Sequence, residues 1–219
     1  MPPELLIFDC DGVLIDSEVI ACRADAACLA EIGVALSAEE IMQRYLGISA
    51  SAMCADIEQR LGRSLPTDFA ETLRLRVAVA FEAELRPIPG IEAALAALPQ
   101  RRCVASGSAQ ERVRHSLSLT GLLRFFEPYL FSAAQVARGK PAPDLFLFAA
   151  ASMHAASGAC AVIEDSPVGV RAAVTAGMRA IGFTGGSHCL AGHAESLRAA
   201  GAETVIDRMD RLPALLSPA

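Results

Sequence analysis

Leu5-Leu6-Ile7-Phe8-Asp9-Cys10-Asp11-Gly12 runs four apolar residues straight into two carboxylates and a glycine. Four consecutive apolar residues leave neither face of a strand polar. The segment therefore reads as a strand buried on both sides, as in a parallel sheet. Five more short apolar runs follow: Cys103-Val104-Ala105, Tyr129-Leu130-Phe131, Cys160-Ala161-Val162-Ile163, Ala180-Ile181-Gly182-Phe183 and Thr204-Val205-Ile206. Helical stretches accompany them near 109–119, 143–153, 167–176, 191–200 and 209–216. Strand and helix alternating at this spacing imply a parallel sheet with helices on both faces and right-handed crossovers.

Residues 17–86 interrupt that alternation. Glu18–Ile32 is helical by composition, and 50–61 and 67–85 also read as helices. Ser37, with Glu40 three residues on, makes a capping box. Pro87 and Pro89-Gly90 end the last helix and mark a hinge. The expected organisation is an α/β core of residues 1–15 and 87–219, with 16–86 inserted as an all-helical domain.

The composition narrows the function classes. Of 219 residues, 53% are hydrophobic and 20% charged, which excludes a disordered chain. A chain this long builds a core without disulfide or metal staples. The net charge of −6 and the lack of a dense Lys/Arg run argue against a nucleic-acid partner. No charge-free apolar segment reaches the ~20 residues of a membrane span. The N-terminal stretch lacks the basic and apolar regions of a secretory signal. Seven cysteines with no CxxC pair fit reduced thiols. The expectation is a soluble cytoplasmic protein, monomer or weak dimer, that meets neither nucleic acid nor membrane.

Ligands of an open parallel sheet gather beyond the carboxyl ends of its strands. Four polar clusters fall at such ends: Asp9-Cys10-Asp11-Gly12, Ser106-Gly107-Ser108, Gly139-Lys140-Pro141-Ala142-Pro143-Asp144 and Glu164-Asp165-Ser166. They bring together carboxylates, hydroxyls, backbone N–H groups and one ammonium. Lys140 is the single lysine beside 18 arginines, so a generic surface charge is a poor account of it. A compact point charge is what an arginine fork copies badly.

FDCDGVLIDSE (8–18), VASGS (104–108), GKPAPDLF (139–146) and VIEDSPVGVRAAVTAGM (162–178), in this order, resemble the four motifs of the haloacid dehalogenase-like hydrolase superfamily. More narrowly they resemble its sugar-phosphate phosphatase and phosphoglucomutase-like branch, which carries a helical cap after the first motif. The resemblance implies a Rossmann-like, doubly wound parallel sheet with that cap. It also implies Mg²⁺ as cofactor and a small phosphorylated metabolite as substrate.

The same resemblance assigns roles. Asp9 is the nucleophile that forms an aspartyl-phosphate, chemistry that splits one hard displacement into two easier ones. A carboxylate that only caps or only binds metal is the plainer alternative. Asp11 is the general acid and base, with its backbone carbonyl on the metal. The dehalogenases of the superfamily lack this second carboxylate, so its presence argues against their activity. Asp165 and Glu164 complete a hard oxygen site for Mg²⁺, unless they merely cap the helix that follows. Lys140 contacts both phosphate and carboxylates. Ser106 and Gly107 cradle the phosphate, with Ser108 and Gln110 as lesser candidates.

In the cap, Arg44, Tyr45, Gly47 and Ser49 match the loop that closes over the core site; Arg23 is a further candidate. Exposed helix-surface roles compete for each of them. His188, in the loop after Thr184-Gly185-Gly186-Ser187, is expected to be solvated, and Cys10 to fill space.

Branch markers favour hydrolysis. Phosphonoacetaldehyde hydrolases need a cap lysine, and residues 16–86 contain none. The mutases carry a His where this chain has Ala21, a Lys where it has Leu46 and an Arg where it has Ala50. The expected activity is Mg²⁺-dependent phosphomonoester hydrolysis. A phosphosugar mutase and a non-catalytic binding protein are the alternatives.

Overall fold

A computed structural model describes residues 2–45 and 50–217. Its strands are β1 (Leu5–Phe8), β2 (Arg101–Ser106), β3 (Leu130–Ser132), β4 (Cys160–Glu164), β5 (Arg179–Phe183) and β6 (Thr204–Ile206). They form one sheet in the order β3-β2-β1-β4-β5-β6, parallel at every pairing. The helices are α1 (Glu18–Glu31), α2 (Ala38–Tyr45), α3 (Ala50–Leu61), α4 (Phe69–Glu84), α5 (Ile91–Ala97), α6 (Gln110–Leu119), α7 (Asp144–Ser152), α8 (Pro167–Thr175), α9 (His193–Ala199) and α10 (Leu212–Leu216).

Successive side chains of a strand point to opposite faces, and here both faces are covered. Leu5 and Ile7 of β1 join Cys103, Ala105, Val162 and Ala180 in a cluster with Leu145, Phe146 and Ala149 of α7 and Val170 and Ala173 of α8. Phe8 turns the other way and meets the Phe126 ring edge-on at 5.7 Å. Two covered faces explain why β1 reads as an unbroken apolar run.

Two elements depart from the sequence reading. α5 was not foreseen: Ile91-Glu92-Ala93-Ala94-Leu95-Ala96-Ala97 is a strong helix former, but short and hemmed between Pro89-Gly90 and Pro99. The stretch near 209–216 divides into a 3₁₀ turn at Met209–Arg211 and α10, whose second residue is Pro213. A helix tolerates proline in its first turn because the N–H there has no partner to lose.

The chain forms two compact units, one of residues up to Asp16 and from Arg86 onward, the other Ser17–Leu85. The helical unit has its own core of Cys22, Cys28, Leu29, Ile41, Tyr45, Ile57, Phe69 and Leu73, among others. Its expected capping box is present. The Ser37 N–H donates to Glu40 Oε2 at 2.9 Å, and the Glu40 N–H donates to Ser37 Oγ at 3.2 Å. All seven cysteines are free thiols. No helix among the described residues is long and apolar enough to cross a membrane.

Candidate active site

Strand order places the site. β2 and β3 lie on one side of β1 and β4–β6 on the other. A crevice opens at such a reversal, beyond the strands' carboxyl ends. The Asp9 N–H donates to the Ile163 carbonyl at 3.0 Å, carrying the β1–β4 register one residue past the strand. Asp9 therefore emerges beside Glu164 and Asp165. The chain then turns tightly: the Leu14 N–H reaches the Cys10 carbonyl at 2.9 Å, and the Gly12 N–H reaches the Ile15 carbonyl at 2.9 Å. Gly12 has φ +76°, and a Cβ there would stand 1.9 Å from Asp165 Oδ2. Only glycine lets the first loop approach the fourth strand's carboxylate this closely.

Lys140 holds the centre. Its Nζ donates to Asp9 Oδ1 at 2.8 Å and to Glu164 Oε1 at 2.6 Å, and it stands 5.0 Å from the centre of the Phe146 ring. Burial alone would lower the ammonium pKa, but the Asp9 and Glu164 carboxylates outweigh it and hold Lys140 above the ordinary lysine value. The carboxyls respond oppositely. Burial raises the Asp9 pKa well above the usual range; Lys140 pulls it down, and Glu164 and Asp165 push it up again. Burial and then Glu164 likewise hold Asp165 well above its usual value. One oxygen from each of Asp9, Glu164 and Asp165 lies within 4.8 Å of the others.

Glu164 is fully engaged. Besides Lys140 on Oε1, its Oε2 accepts from the Ser166 N–H at 3.0 Å and Oγ at 2.9 Å. The cap of α8 is Ser166, whose Oγ accepts from the Gly169 N–H at 3.0 Å; neither carboxylate does that work. Ser106 is buried, and its Oγ accepts from the Ser108 N–H at 3.0 Å. Beside Gly107 there is open space where a side chain would be. Gln110 donates to the Leu130 carbonyl at 3.0 Å, a structural contact. Burial first, then Asp11 and Asp9, push the Cys10 thiol well up, so it is no thiolate.

Two sets of contacts were not legible. Asp11 accepts from Ser108 Oγ at 2.7 Å and from Arg112 Nη2 at 3.2 Å, so Arg112 joins the site from α6. His188 is not the solvated loop residue that the sequence suggested. It is 2% exposed, and its Nε2 lies 2.8 Å from Asp165 Oδ2. The ring fits because two neighbours are glycines: a Cβ at Gly12 or at Gly186 would come within 2.7 Å of it. In the helical unit, the Tyr45 side chain is buried and its hydroxyl donates to Asp56 Oδ2 at 2.6 Å. Arg44 pairs with Glu40 at 3.6 Å, and Arg23 with Glu84. Gly47 and Ser49 lie outside the described residues.

Known proteins resemble the chain in sequence and in fold. Residues 3–177 match the family model described as haloacid dehalogenase-like hydrolase. The chain is 34% identical over 186 residues to the 6-phosphogluconate phosphatase of Escherichia coli, a match covering 84% of each protein. It is 34% identical over 182 residues to hexitol phosphatase A of the same organism, covering 80% of each. A solved haloacid dehalogenase-like protein of unknown function from Agrobacterium tumefaciens superposes with a TM-score of 0.86 at 39% identity, over 97% of each chain.

Proposed function

The chain belongs to the haloacid dehalogenase-like hydrolase family as a phosphatase, and we propose that it hydrolyses a small phosphorylated sugar or sugar acid with Mg²⁺ through an aspartyl-phosphate. The observation that carries this reading is the Lys140 ammonium held between Asp9 and Glu164, 2.8 and 2.6 Å away. It fixes the attacking carboxylate and leaves positive charge where a phosphate must land.

The donor set fits a hard divalent cation. Three carboxylates offer oxygens within 4.8 Å of one another, and two of them are pushed toward protonation by burial and mutual repulsion that a cation would relieve. Asp9 and Asp165 would hold Mg²⁺, with Glu164 committed mainly to Lys140 and Ser166. Bound there, Mg²⁺ would offset repulsion between the Asp9 carboxylate and a phosphate dianion and polarise the phosphoryl oxygens.

The protein's own groups carry the steps. Lys140 orients Asp9 through Oδ1, and Oδ2 attacks phosphorus in line. Asp11, positioned by Ser108 and Arg112, gives a proton to the departing alkoxide. It then takes one from the water that cleaves the aspartyl-phosphate. Ser106, the Gly107 N–H and Lys140 stabilise charge on the transferring group. Gly47 and Ser49, with Arg44, are proposed to set selectivity for the rest of the substrate.

Phosphate release measured across sugar phosphates, hexitol phosphates and sugar-acid phosphates tests the reading. Selective, Mg²⁺-dependent release is expected, falling at least ~10³-fold in Asp9→Asn and stopping with EDTA. Undiminished turnover by Asp9→Asn would refute the mechanism.

A further inference from the structure

The Thr184–Cys189 loop and the start of α9 carry a cluster that the phosphatase reading does not use. One ring nitrogen each of His188 and His193 and the Cys189 Sγ lie within 4.8 Å of one another. Cys189 Sγ is 3.3 Å from His188 Nε2, and that nitrogen is 2.8 Å from Asp165 Oδ2. In a tetrahedral Zn²⁺ site, bond lengths of ~2.3 Å to sulfur and ~2.0–2.1 Å to nitrogen or oxygen put S···N at about 3.6 Å and N···O at about 3.4 Å. The observed separations approach these within an ångström.

The cluster is also built into the backbone. The Cys189 N–H donates to the Gly186 carbonyl at 3.0 Å, a turn that brings His188 and Cys189 round together. The His193 N–H donates to the Leu190 carbonyl at 3.1 Å, closing a second turn onto α9. His193 Nε2 contacts the Asp165 backbone carbonyl at 2.5 Å, and the two imidazoles stand edge to face at 5.7 Å. Gly12 and Gly186 leave the space that the His188 ring fills. His188 is buried, whereas Cys189 and His193 are half-buried and give solvent a way in.

We propose that His188, Cys189 and His193 form a second cation site, for a borderline ion of the Zn²⁺ class, with an Asp165 carboxylate oxygen as fourth ligand. The donor chemistry separates it from the carboxylate triad. Two imidazoles and a thiolate favour Zn²⁺ and disfavour Mg²⁺, which prefers all-oxygen ligands. Binding displaces the thiol proton to solvent. Asp165 cannot serve both sites without change, so filling the second antagonises the first. That antagonism rests on the phosphatase reading; the site itself does not.

The test uses the full chain stripped with chelator, then titrated with Co²⁺ as the visible surrogate of Zn²⁺. One equivalent should give a near-ultraviolet thiolate-to-Co²⁺ absorption that Zn²⁺ abolishes. Cys189→Ser should lose the absorption and bind Zn²⁺ about 10–100-fold more weakly, and His193→Gln should weaken Zn²⁺ to a similar degree. In Mg²⁺ buffer, Zn²⁺ should inhibit phosphate release by the wild type but not by Cys189→Ser, whose activity in Mg²⁺ without Zn²⁺ stays at the wild-type level. No thiolate absorption, or unchanged Zn²⁺ affinity in both variants, overturns the site. Binding without inhibition overturns the sharing of Asp165. The absorption needs no substrate, so it decides the site even if no phosphomonoester is turned over.

Discussion

Lys140 shows what one side chain can reveal and what it conceals. Its solitude was visible in the composition, because the other 18 of the 19 Lys and Arg residues are arginine. Its two carboxylate partners lie 131 and 24 residues away in sequence, and motif resemblance alone brought them near. The motifs named residues but not these further pairings. The Ser108–Asp11 and Arg112–Asp11 contacts span 97 and 101 residues, and His188–Asp165 joins two loops with no shared periodicity. Lys140→Arg keeps the charge but replaces a compact ammonium with a planar fork that cannot stand between both carboxylates. Phosphate release should fall at least ~10-fold in a folded protein, since each 1.4 kcal/mol of lost transition-state stabilisation is a factor of ten. Lys140→Met removes the cation and leaves two buried carboxylates facing each other, expected to cost about 3–5 kcal/mol. Denaturant melts of both variants distinguish the effects: a Lys140→Met as stable as the wild type would contradict the buried pairing.

At the scale of elements, the strands were legible because burial on both faces writes itself as an apolar run. The helices were legible from composition and spacing, and α2 also from its capping box. α5 escaped because its seven residues fit between two turn signals that dominate the local pattern. What the sequence could not display is how closely elements meet at the site. The first turn of α8 passes so near β4 that a Cβ at Gly169 would sit 1.8 Å from Glu164 Oε1. Gly169→Ala must therefore expel the Glu164 carboxylate or push α8 off the strand. Loss of about 1–3 kcal/mol is expected, as for overpacked cores, together with reduced phosphate release as Lys140 loses a partner. Gly158→Ala is the matched control, because no atom lies within 4 Å of a Cβ there and its φ is ordinary. That variant should keep both stability and activity. If Gly169→Ala behaved like Gly158→Ala, the close approach of α8 to Glu164 would be wrong.

For the whole molecule, the acidic cluster ties stability to cation and proton together. Asp9 and Asp165 have folded pKa values raised above the ordinary carboxylate value, chiefly by burial. A raised folded pKa means the native state prefers the protonated form. The contribution is fully present below the unfolded value of about 3.9 and is lost as pH rises through the folded values. Lys140, also raised, keeps its contribution until pH exceeds the ordinary lysine value, so it is constant between acid and neutral pH. The metal-free protein thus carries its strained carboxylates at neutral and alkaline pH, where a divalent cation has most to offset. Mg²⁺ held there as proposed would compete with protons for these oxygens, so it should stabilise the fold far more at pH 8 than at pH 5. At 100-fold excess over Kd the gain is about 2.7 kcal/mol. For a chain of this size that corresponds to a rise in Tm of about 5–10 °C. Asp165→Asn should lose most of the rise, since an amide neither repels its neighbours nor binds a hard cation as a carboxylate does. Thermal melts with and without Mg²⁺ at the two pH values read this directly. An equal rise at both would mean that Mg²⁺ binds away from the buried carboxylates.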